Sequence, residues 1–249
     1  MNDDISHADV SDAHQAIDPH GDRVLVVDFG AQYAQLIARR VRELHVFSEI
    51  VNHSITADEV AAKQPAAIIL SGGPASVNIE DTPRLDPAIY ELGVPIFGIC
   101  YGAQLIAAQL GGTVGRGGAG EYGRAHLTRT TESSVLHADI PDEHDVWMSH
   151  FDAITEPPPG FRGTASTKDA PVAVLENDER RIWGVQFHPE VVHSPHGMSV
   201  LRTFLHDLAG CRPLWRMSSV VDEQVAEIRA RVGDQRAICA LSGGVDSSL

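Results

Sequence analysis

Three features of the sequence predict an α/β fold, a layer sandwich with a mostly parallel central sheet. Between residues 23 and 110, short runs of branched apolar residues alternate with segments of helical periodicity, the pattern of strands buried between layers of helices. After residue 112, short strand-like runs follow one another with turn-rich joins, which indicates an antiparallel extension. Near the end, "RAICALSGGVDSSL" predicts a strand and a Gly-rich loop that begin a second α/β unit.

The elements of the parallel part follow in a regular order. The strand "RVLVVD" precedes the helix "AQLIARRVREL", whose apolar residues recur three and four positions apart. A second strand, "HVFSEIV", leads to the short helix "TADEVAAK", which opens on a Thr suited to cap it. The strands "AAIIL" and "VPIFGI" come next, and the second of them runs into the helix "YGAQLIAAQL".

The elements after residue 112 are shorter. The runs "HLTRT", "DVWMSH", "FRGTAST", "PVAVLE" and "RIWGVQF" are assigned to the antiparallel extension. "GMSVLRTFLHDLAG" predicts a helix with a Gly just past its end, and a further helix is expected over roughly 219–232. The predicted organisation is a disordered acidic arm (1–21), an α/β domain (22–210), a linker with a helix (211–235) and the truncated start of a second α/β domain (236–249).

Composition restricts the classes of function. The net charge is −15, from 34 acidic and 19 basic residues, which argues against nucleic acid or an anionic membrane as partner because both require clustered Lys and Arg. The sequence has no apolar stretch of membrane-spanning length and no N-terminal targeting pattern. Three scattered cysteines fit neither a disulfide framework nor a zinc site, so we expect a cytoplasmic protein, with Cys211 and Cys239 as packing residues.

The sequence "FGICYGAQL" places Cys100 between two glycines where a predicted strand becomes a helix. Gly98 and Gly102 permit the close backbone approach that a nucleophile elbow requires, and the helix N-terminus favours a thiolate. A buried cysteine that only packs beside a tight turn has the same local sequence. This stretch alone leaves both interpretations open.

A nucleophilic cysteine needs a base, and the base needs a group that orients it. In "WGVQFHPE", His188 lies at the end of a predicted strand and Glu190 follows two residues later. The carboxylate can hold one ring nitrogen while the other faces the thiol. The chain has 13 histidines, so this pairing alone has little specificity, and we interpret His193 and His196 as solvated surface.

The loop "SGGP" after the third strand can expose the N–H groups that an oxyanion hole requires, although an ordinary turn has the same composition. The cysteine, the histidine and this loop all follow carboxyl ends of predicted strands, where open α/β sheets bind ligands. Their conjunction predicts an active site at that edge of the sheet.

Together, "GICYGAQ", "SGGP" and "GVQFHPE" resemble the motifs of the class I, triad-type glutamine amidotransferases. The resemblance implies that Cys100 attacks the side-chain amide of glutamine, that His188 passes protons to the leaving ammonia, and that Glu190 orients His188. Backbone N–H groups of Gly73 and Tyr101 would hold the oxyanion. A γ-glutamyl thioester would form and be hydrolysed to glutamate, with no cofactor and no metal site assigned in this chain.

The same resemblance implies the residues that bind glutamine. Gln104 lies one helical turn after the cysteine and can face the same pocket. The segment "SHFD" matches the family segment that grips the amino-acid end of the substrate, which assigns Ser149, His150 and Asp152 to substrate binding. The family usually has Gly where this chain has Phe151, and a positive φ there would strain a Phe.

The C-terminal "LSGGVDSS" resembles the pyrophosphate loop of N-type ATP pyrophosphatases rather than a Walker motif. The resemblance implies ATP binding, with Mg²⁺, in a longer synthetase that forms a homodimer and aminates xanthosine monophosphate (XMP) to GMP; this fragment would hydrolyse glutamine at most. The implied ATP-binding residues are Ser242, Gly243, Gly244, Val245, Asp246, Ser247 and Ser248.

Three alternatives compete with this assignment. The chain could be the glutaminase part of carbamoyl phosphate, anthranilate or CTP synthesis, or a γ-glutamyl hydrolase; the "SGGVDSS" loop argues against each of these. A non-catalytic regulatory domain is the third alternative, and the presence of Cys100, His188 and Glu190 argues against it.

Overall fold

A nine-stranded mixed sheet flanked by helices forms the centre of this computed structural model, which describes residues 22–30, 32–116, 118–216, 225 and 228–233. The strands are β1 (Arg23–Asp28), β2 (Phe47–Asn52), β3 (Ala67–Leu70), β4 (Ile96–Ile99), β5 (Thr113–Gly115), β6 (Glu121–Arg129), β7 (Glu143–His150), β8 (Ala153–Glu156), β9 (Arg162–Ser166), β10 (Val174–Asn177) and β11 (Ile182–Val185). The α-helices are α1 (Tyr33–Glu43), α2 (Ala57–Lys63), α3 (Tyr101–Gln109) and α4 (Gly197–Arg202), with a 3₁₀ turn at Pro87–Glu91 and a π-helix at Thr203–Leu208.

The strand order confirms the predicted fold class. The sheet runs β2-β1-β3-β4-β11-β10-β9-β6-β7. The first five strands are parallel, and β10, β9, β6 and β7 continue the sheet antiparallel. The prediction was wrong in one respect: "RIWGVQF" is not only part of the extension, because its strand β11 pairs parallel with β4 as well as antiparallel with β10. All four residues of β11 are buried, as a central strand requires.

The sheet buries apolar side chains on both faces. Alternate residues of β1 belong to two different core clusters, with Val24 and Val26 in one and Leu25 and Val27 in the other. Helices α1 and α4 cover the first face, and α2 and α3 cover the second. This packing explains why the central strands β3 and β4 are apolar throughout rather than alternating.

Local sequence signals determine several boundaries. The Thr56 side chain accepts from the Glu59 N–H at 3.3 Å while the Glu59 carboxylate accepts from the Thr56 N–H at 2.9 Å, the capping box that starts α2. The predicted helix "GMSVLRTFLHDLAG" is α4 continued by the π-helix, and Gly210 follows it with φ +76°. The two-stranded sheet of β5 and β8 is not predicted by the sequence.

The chain divides into two compact units, with Leu214 ending the first and Trp215 beginning the second. In the second unit, residues 225 and 228–232 are helical, within the helix expected over 219–232. The arm (1–21), Cys239 and the start of the second α/β domain (236–249) lie outside the described residues. Among the described residues, no helix is long and apolar enough to cross a bilayer.

Candidate active site

Cys100 occupies a strained bend between β4 and α3. Its φ is +51° and its ψ is −104°, a backbone conformation that non-glycine residues rarely adopt. The Cys100 N–H donates to the carbonyl of Val185 on β11 at 2.8 Å. The bend therefore fixes the thiol, 5% exposed, at the N-terminus of α3.

The two glycines beside the cysteine are required by close packing rather than by unusual φ angles. A Cβ added at Gly98 would lie 2.6 Å from the backbone nitrogen of Ala103, and one at Gly102 would lie 2.4 Å from the carbonyl oxygen of Leu70. Neither backbone atom can move away without shifting a strand or helix. The two glycines thus allow the bend to pack closely against β3 and α3.

His188 and Glu190 lie together beside this bend. The Nδ1 atom of His188 is 2.7 Å from Oε1 of Glu190, and the two side chains are 2% and 0% exposed. The backbone of His188 is held on both sides: its N–H donates to the carbonyl of Trp147 at 2.9 Å, and its carbonyl accepts from the hydroxyl of Ser194 at 2.7 Å. Strand β11 ends at Val185, so His188 follows the strand by three residues instead of ending it.

The electrostatics favour a charged imidazole. Burial on its own lowers the pKa of His188, but hydrogen bonds to and charges of Cys100 and Glu190 raise it to about 11. Oε2 of Glu190 has no hydrogen-bond partner in the part of the chain that the structure describes. The imidazolium is therefore the group that compensates this buried carboxylate.

Gly72 brings the loop after β3 against the side chains of both Cys100 and His188. A Cβ at Gly72 would lie 3.1 Å from Cε1 of His188 and 3.9 Å from Cβ of Cys100. A Cβ at the next residue, Gly73, would lie 3.1 Å from Cγ of Tyr101. The "SGGP" loop and the start of α3 thus meet over the thiol.

A cavity of about 350 Å³ opens over the thiol, within the size range of small-molecule sites. Most of the residues predicted for the site line it; Glu190 is the exception and lies behind His188. The predicted residues that line the cavity are Gly73, Cys100, Tyr101, Gln104, Ser149, His150, Asp152 and His188. The Tyr101 hydroxyl donates to the carbonyl of Pro83 at 2.5 Å, so this ring is anchored in the core.

The "SHFD" segment, residues 149–152, is tied to both walls of the cavity. The Nε2 atom of Gln104 donates to the carbonyl of Asp152 at 2.6 Å, and the hydroxyl of Ser76 donates to the Asp152 carboxylate. Phe151 does not have a positive φ, so the strain considered for this position is absent. Its ring is 42% exposed, and the Arg116 guanidinium lies 4.4 Å from its centroid.

His150 belongs to a second buried histidine–carboxylate pair. Its Nε2 donates to Oε2 of Glu121 at 3.1 Å, and that oxygen also accepts from the Thr167 hydroxyl at 2.6 Å. Glu121 lies opposite His150 in the register of β6 and β7. The sequence carries no local signal for this pairing, because the two residues are far apart in the chain.

Three more residues around Cys100, His188 and Glu190 were not predicted. The ring of Tyr33 packs at 4.6 Å from that of His188, and the Arg40 guanidinium donates to the carbonyl of Glu190 at 2.8 Å. The amide of Gln186 lies 3.7 Å from Sγ of Cys100. Gln186 is two residues before His188, so period-two alternation could have placed it on the same side of the chain.

Other predicted residues fall outside this cavity. Cys211 is buried, and burial with the nearby Asp22 charge raises the pKa of its thiol to about 12. His193 is exposed as predicted, whereas His196 is half-buried, with its ring 5.2 Å from that of His144. The proposed ATP-binding residues 242–248 lie outside the described residues.

Sequence comparison extends the match beyond the short motifs. A glutamine-hydrolysing GMP synthase of Thermobifida fusca is 57% identical over 228 residues, and one of Streptomyces avermitilis is 60% identical over the same length. Each alignment covers 92% of this chain and 43% of the relative. The chain therefore spans less than half the length of these curated relatives.

Structural comparison also finds similarity to a protein of GMP synthesis. The crystal structure of a protein described as a GMP synthase subunit, from Thermoplasma acidophilum, superposes with a TM-score of 0.65 at 28% identity, covering 84% of this chain and 98% of the other. The model of the family glutamine amidotransferase class-I matches residues 25–208, which include the cysteine elbow and the His–Glu pair. The chain belongs to the class-I glutamine amidotransferase family.

Proposed function

We propose that this chain is the glutamine-hydrolysing part of a GMP synthase, with Cys100, His188 and Glu190 as its catalytic triad. The observation that carries the proposal is the 2.7 Å bond between His188 and Glu190 beside a thiol on a strained elbow. The names of the relatives from Thermobifida fusca and Streptomyces avermitilis support the choice of synthase.

The first step is attack of the thiolate of Cys100 on the side-chain carbonyl carbon of glutamine. The α3 N-terminus and the imidazolium of His188 stabilise the thiolate before attack. Attack forms a C–S bond and moves the carbonyl electron pair onto oxygen. The backbone N–H groups of Gly73 and Tyr101, which line the cavity, would hold this oxyanion.

Collapse of the tetrahedral intermediate breaks the C–N bond. His188 gives its proton to the departing nitrogen, so ammonia leaves and a γ-glutamyl thioester remains on Cys100. The carboxylate of Glu190 keeps the ring of His188 oriented while the ring loses its positive charge. The neutral imidazole then accepts a proton from water, which attacks the thioester, and glutamate and the thiolate are released.

Substrate orientation is assigned to the opposite wall. The Asp152 carboxylate can pair with the α-ammonium of glutamine, and Ser76 holds that carboxylate in place. Gln104, Ser149 and His150 line the same cavity and offer polar groups to the remaining amino-acid atoms. Polar groups placed in this way around the cavity would orient the amide toward the thiol.

In the longer protein, the ammonia would aminate XMP that has been activated with ATP and Mg²⁺. The loop that resembles a pyrophosphate site, residues 242–248, would bind the ATP; it lies outside the described residues. A homodimer and a cytoplasmic location complete the proposal. The alternatives of another amidotransferase or a γ-glutamyl hydrolase are disfavoured by the identity of 57–60% to GMP synthases.

Two assays test the two parts of this proposal. The chain alone should release ammonia from glutamine, and Cys100→Ala should not, whereas Cys211→Ala should retain the rate because Cys211 lies outside the cavity. In a longer protein that contains this chain, Cys100→Ala should lose GMP formation from glutamine, XMP and ATP but keep GMP formation from ammonium. If the unmutated longer protein forms no GMP from glutamine or from ammonium, the synthase assignment is overturned and the glutaminase assignment is unaffected.

A further inference from the structure

Gln186 lies between the thiol and the substrate-binding wall. It is fully buried, at 0% exposure, and its Nε2 is 3.7 Å from Sγ of Cys100. Its Oε1 is 3.3 Å from Nε2 of Gln104, which is 2.6 Å from the carbonyl of Asp152. A continuous chain of hydrogen bonds therefore joins the substrate segment to the reacting sulfur.

The direction of this chain follows from its last member. The carbonyl of Asp152 can only accept, so the side-chain atom of Gln104 facing it must be the NH₂ group. The second hydrogen of that NH₂ points to Gln186, which must present its carbonyl oxygen there. The NH₂ of Gln186 is consequently the group that faces the sulfur. Flipping the Gln186 amide would bring two donors together, and flipping the Gln104 amide would bring acceptors together.

A donor at this position acts differently on the two states of the sulfur. A neutral thiol can donate to the carbonyl of Ser149, 3.7 Å away, and needs no donor of its own. A thiolate is repelled by that carbonyl oxygen and is stabilised by hydrogen-bond donors, as charge-assisted bonds are stronger than neutral ones. His188 supplies one donor, and Gln186 supplies another.

We propose that Gln186 is a further catalytic residue, which donates a hydrogen bond to Sγ of Cys100 and stabilises it as a thiolate. The donor acts twice: it favours the attacking thiolate, and it stabilises the sulfur again when water expels it from the thioester. This inference rests on the proposed function of Cys100 as the nucleophile.

The direct test is the pH dependence of alkylation of Cys100 by iodoacetamide, with the signal of Cys100→Ala subtracted. Gln186→Met keeps the volume and removes the donor. We expect the midpoint of its alkylation profile to move up by about one pH unit, so that the rate at a fixed pH on the rising part of the profile falls by up to about tenfold. Gln109→Met is the matched control: Gln109 also hydrogen-bonds through its side chain, to Leu85 and Tyr90, away from the cavity.

A profile for Gln186→Met that coincides with the unmutated chain would overturn the proposal. Gln186→Asn serves as a second variant, because its amide is one methylene too short to reach the sulfur and should give the same shift. If neither variant folds, side-chain amide NMR of the unmutated chain decides. The side-chain NH₂ signal of Gln186 must then move when Cys100 is titrated. If that signal does not move, the proposed hydrogen bond to the sulfur is rejected.

This readout is independent of glutamine hydrolysis. If the unmutated chain fails to release ammonia but Gln186→Met still shifts the alkylation profile, the proposed function is wrong and the hydrogen bond is retained. If the chain hydrolyses glutamine and the profile does not shift, only the role of Gln186 is wrong. With glutamine as substrate, Gln186→Met should lower kcat more than it raises KM, since the donor contacts the sulfur rather than the substrate.

Discussion

The imidazole of His188 and the carboxylate of Glu190 are joined by a 2.7 Å hydrogen bond, and both side chains are almost entirely shielded from solvent. Only Pro189 separates them in the chain, and a proline favours an extended backbone at the residue before it. A buried carboxylate with one unpartnered oxygen, among the residues described, needs a neighbouring cation. We therefore infer that Glu190 maintains the charge and orientation of His188.

Replacing this acid should separate activity from stability. Glu190→Gln keeps the shape but removes the charge that holds Nδ1 of His188 protonated, so we expect kcat/KM for glutamine to fall by about 100-fold or more. Without that charge His188 can lose its proton, so no unpaired buried charge need remain and thermal unfolding should change less than activity. Glu179→Gln, at an exposed site, is the control. A Glu190→Gln enzyme with full activity would show that the hydrogen bond does not serve catalysis.

The wall opposite the triad should govern substrate affinity. Asp152→Asn removes the charge expected to pair with the α-ammonium of glutamine, and we expect KM to rise about tenfold or more with little change in kcat. Steady-state ammonia release measures both constants. Asp81→Asn, an exposed carboxylate, should leave them unchanged. If Asp152→Asn instead lowers kcat at unchanged KM, the carboxylate acts on the chemical step and not on binding.

The elbow should tolerate no side chain at Gly102. In Gly102→Ala, the new Cβ would lie 2.4 Å from the carbonyl oxygen of Leu70, so we expect a loss of about 3 kcal/mol in the free energy of unfolding. Gly115→Ala is the matched control, because its Cβ would meet no atom within 4 Å, and it should change stability by less than about 1 kcal/mol. Urea denaturation compares the two, and equal stabilities would contradict the packing described.

A buried histidine away from the cavity should make the fold sensitive to acid. Burial, together with the charges of His144, Arg129 and His196, lowers the pKa of His137 to about 3 from an ordinary 6.5. The unfolded chain therefore binds a proton that the folded chain excludes, and stability falls as pH drops from 6.5 towards 3.

The free energy of unfolding measured against pH tests this coupling. The unmutated chain should lose up to about 1.4 kcal/mol per pH unit across that window through His137 alone. His137→Leu should flatten the dependence, whereas His45→Asn, at an exposed histidine, should not. Parallel curves for the unmutated chain and His137→Leu would mean that His137 is not held neutral.

The sequence predicts those parts of the fold that local signals control. Branched apolar runs and a Thr cap identify β1 to β4 and α2, and the two glycines around Cys100 identify the bend. The order of strands in the antiparallel half depends on pairing between distant segments, as between β6 and β9, and periodicity does not encode it. The insertion of β11 beside β4 is of the same kind.

The site divides in the same way. Cys100 and His188 lie in short motifs at strand ends and are predictable, while Glu121 reaches His150 only through the register of β6 and β7. Gln186 was within a recognised motif, but its role depends on the orientation of Gln104, which follows from a contact with the carbonyl of Asp152. Contacts between distant segments thus determine which polar residues support the triad.

The covalent intermediate provides the most direct test of the central claim, that Cys100 is the nucleophile toward glutamine. The chain is mixed with glutamine, quenched in acid and analysed by intact-mass and peptide mass spectrometry. We predict an adduct with the mass of one γ-glutamyl group on the peptide that contains Cys100, absent from Cys100→Ala and retained in Cys211→Ala. Ammonia release by Cys100→Ala at the unmutated rate, or an adduct on another residue, would contradict the account.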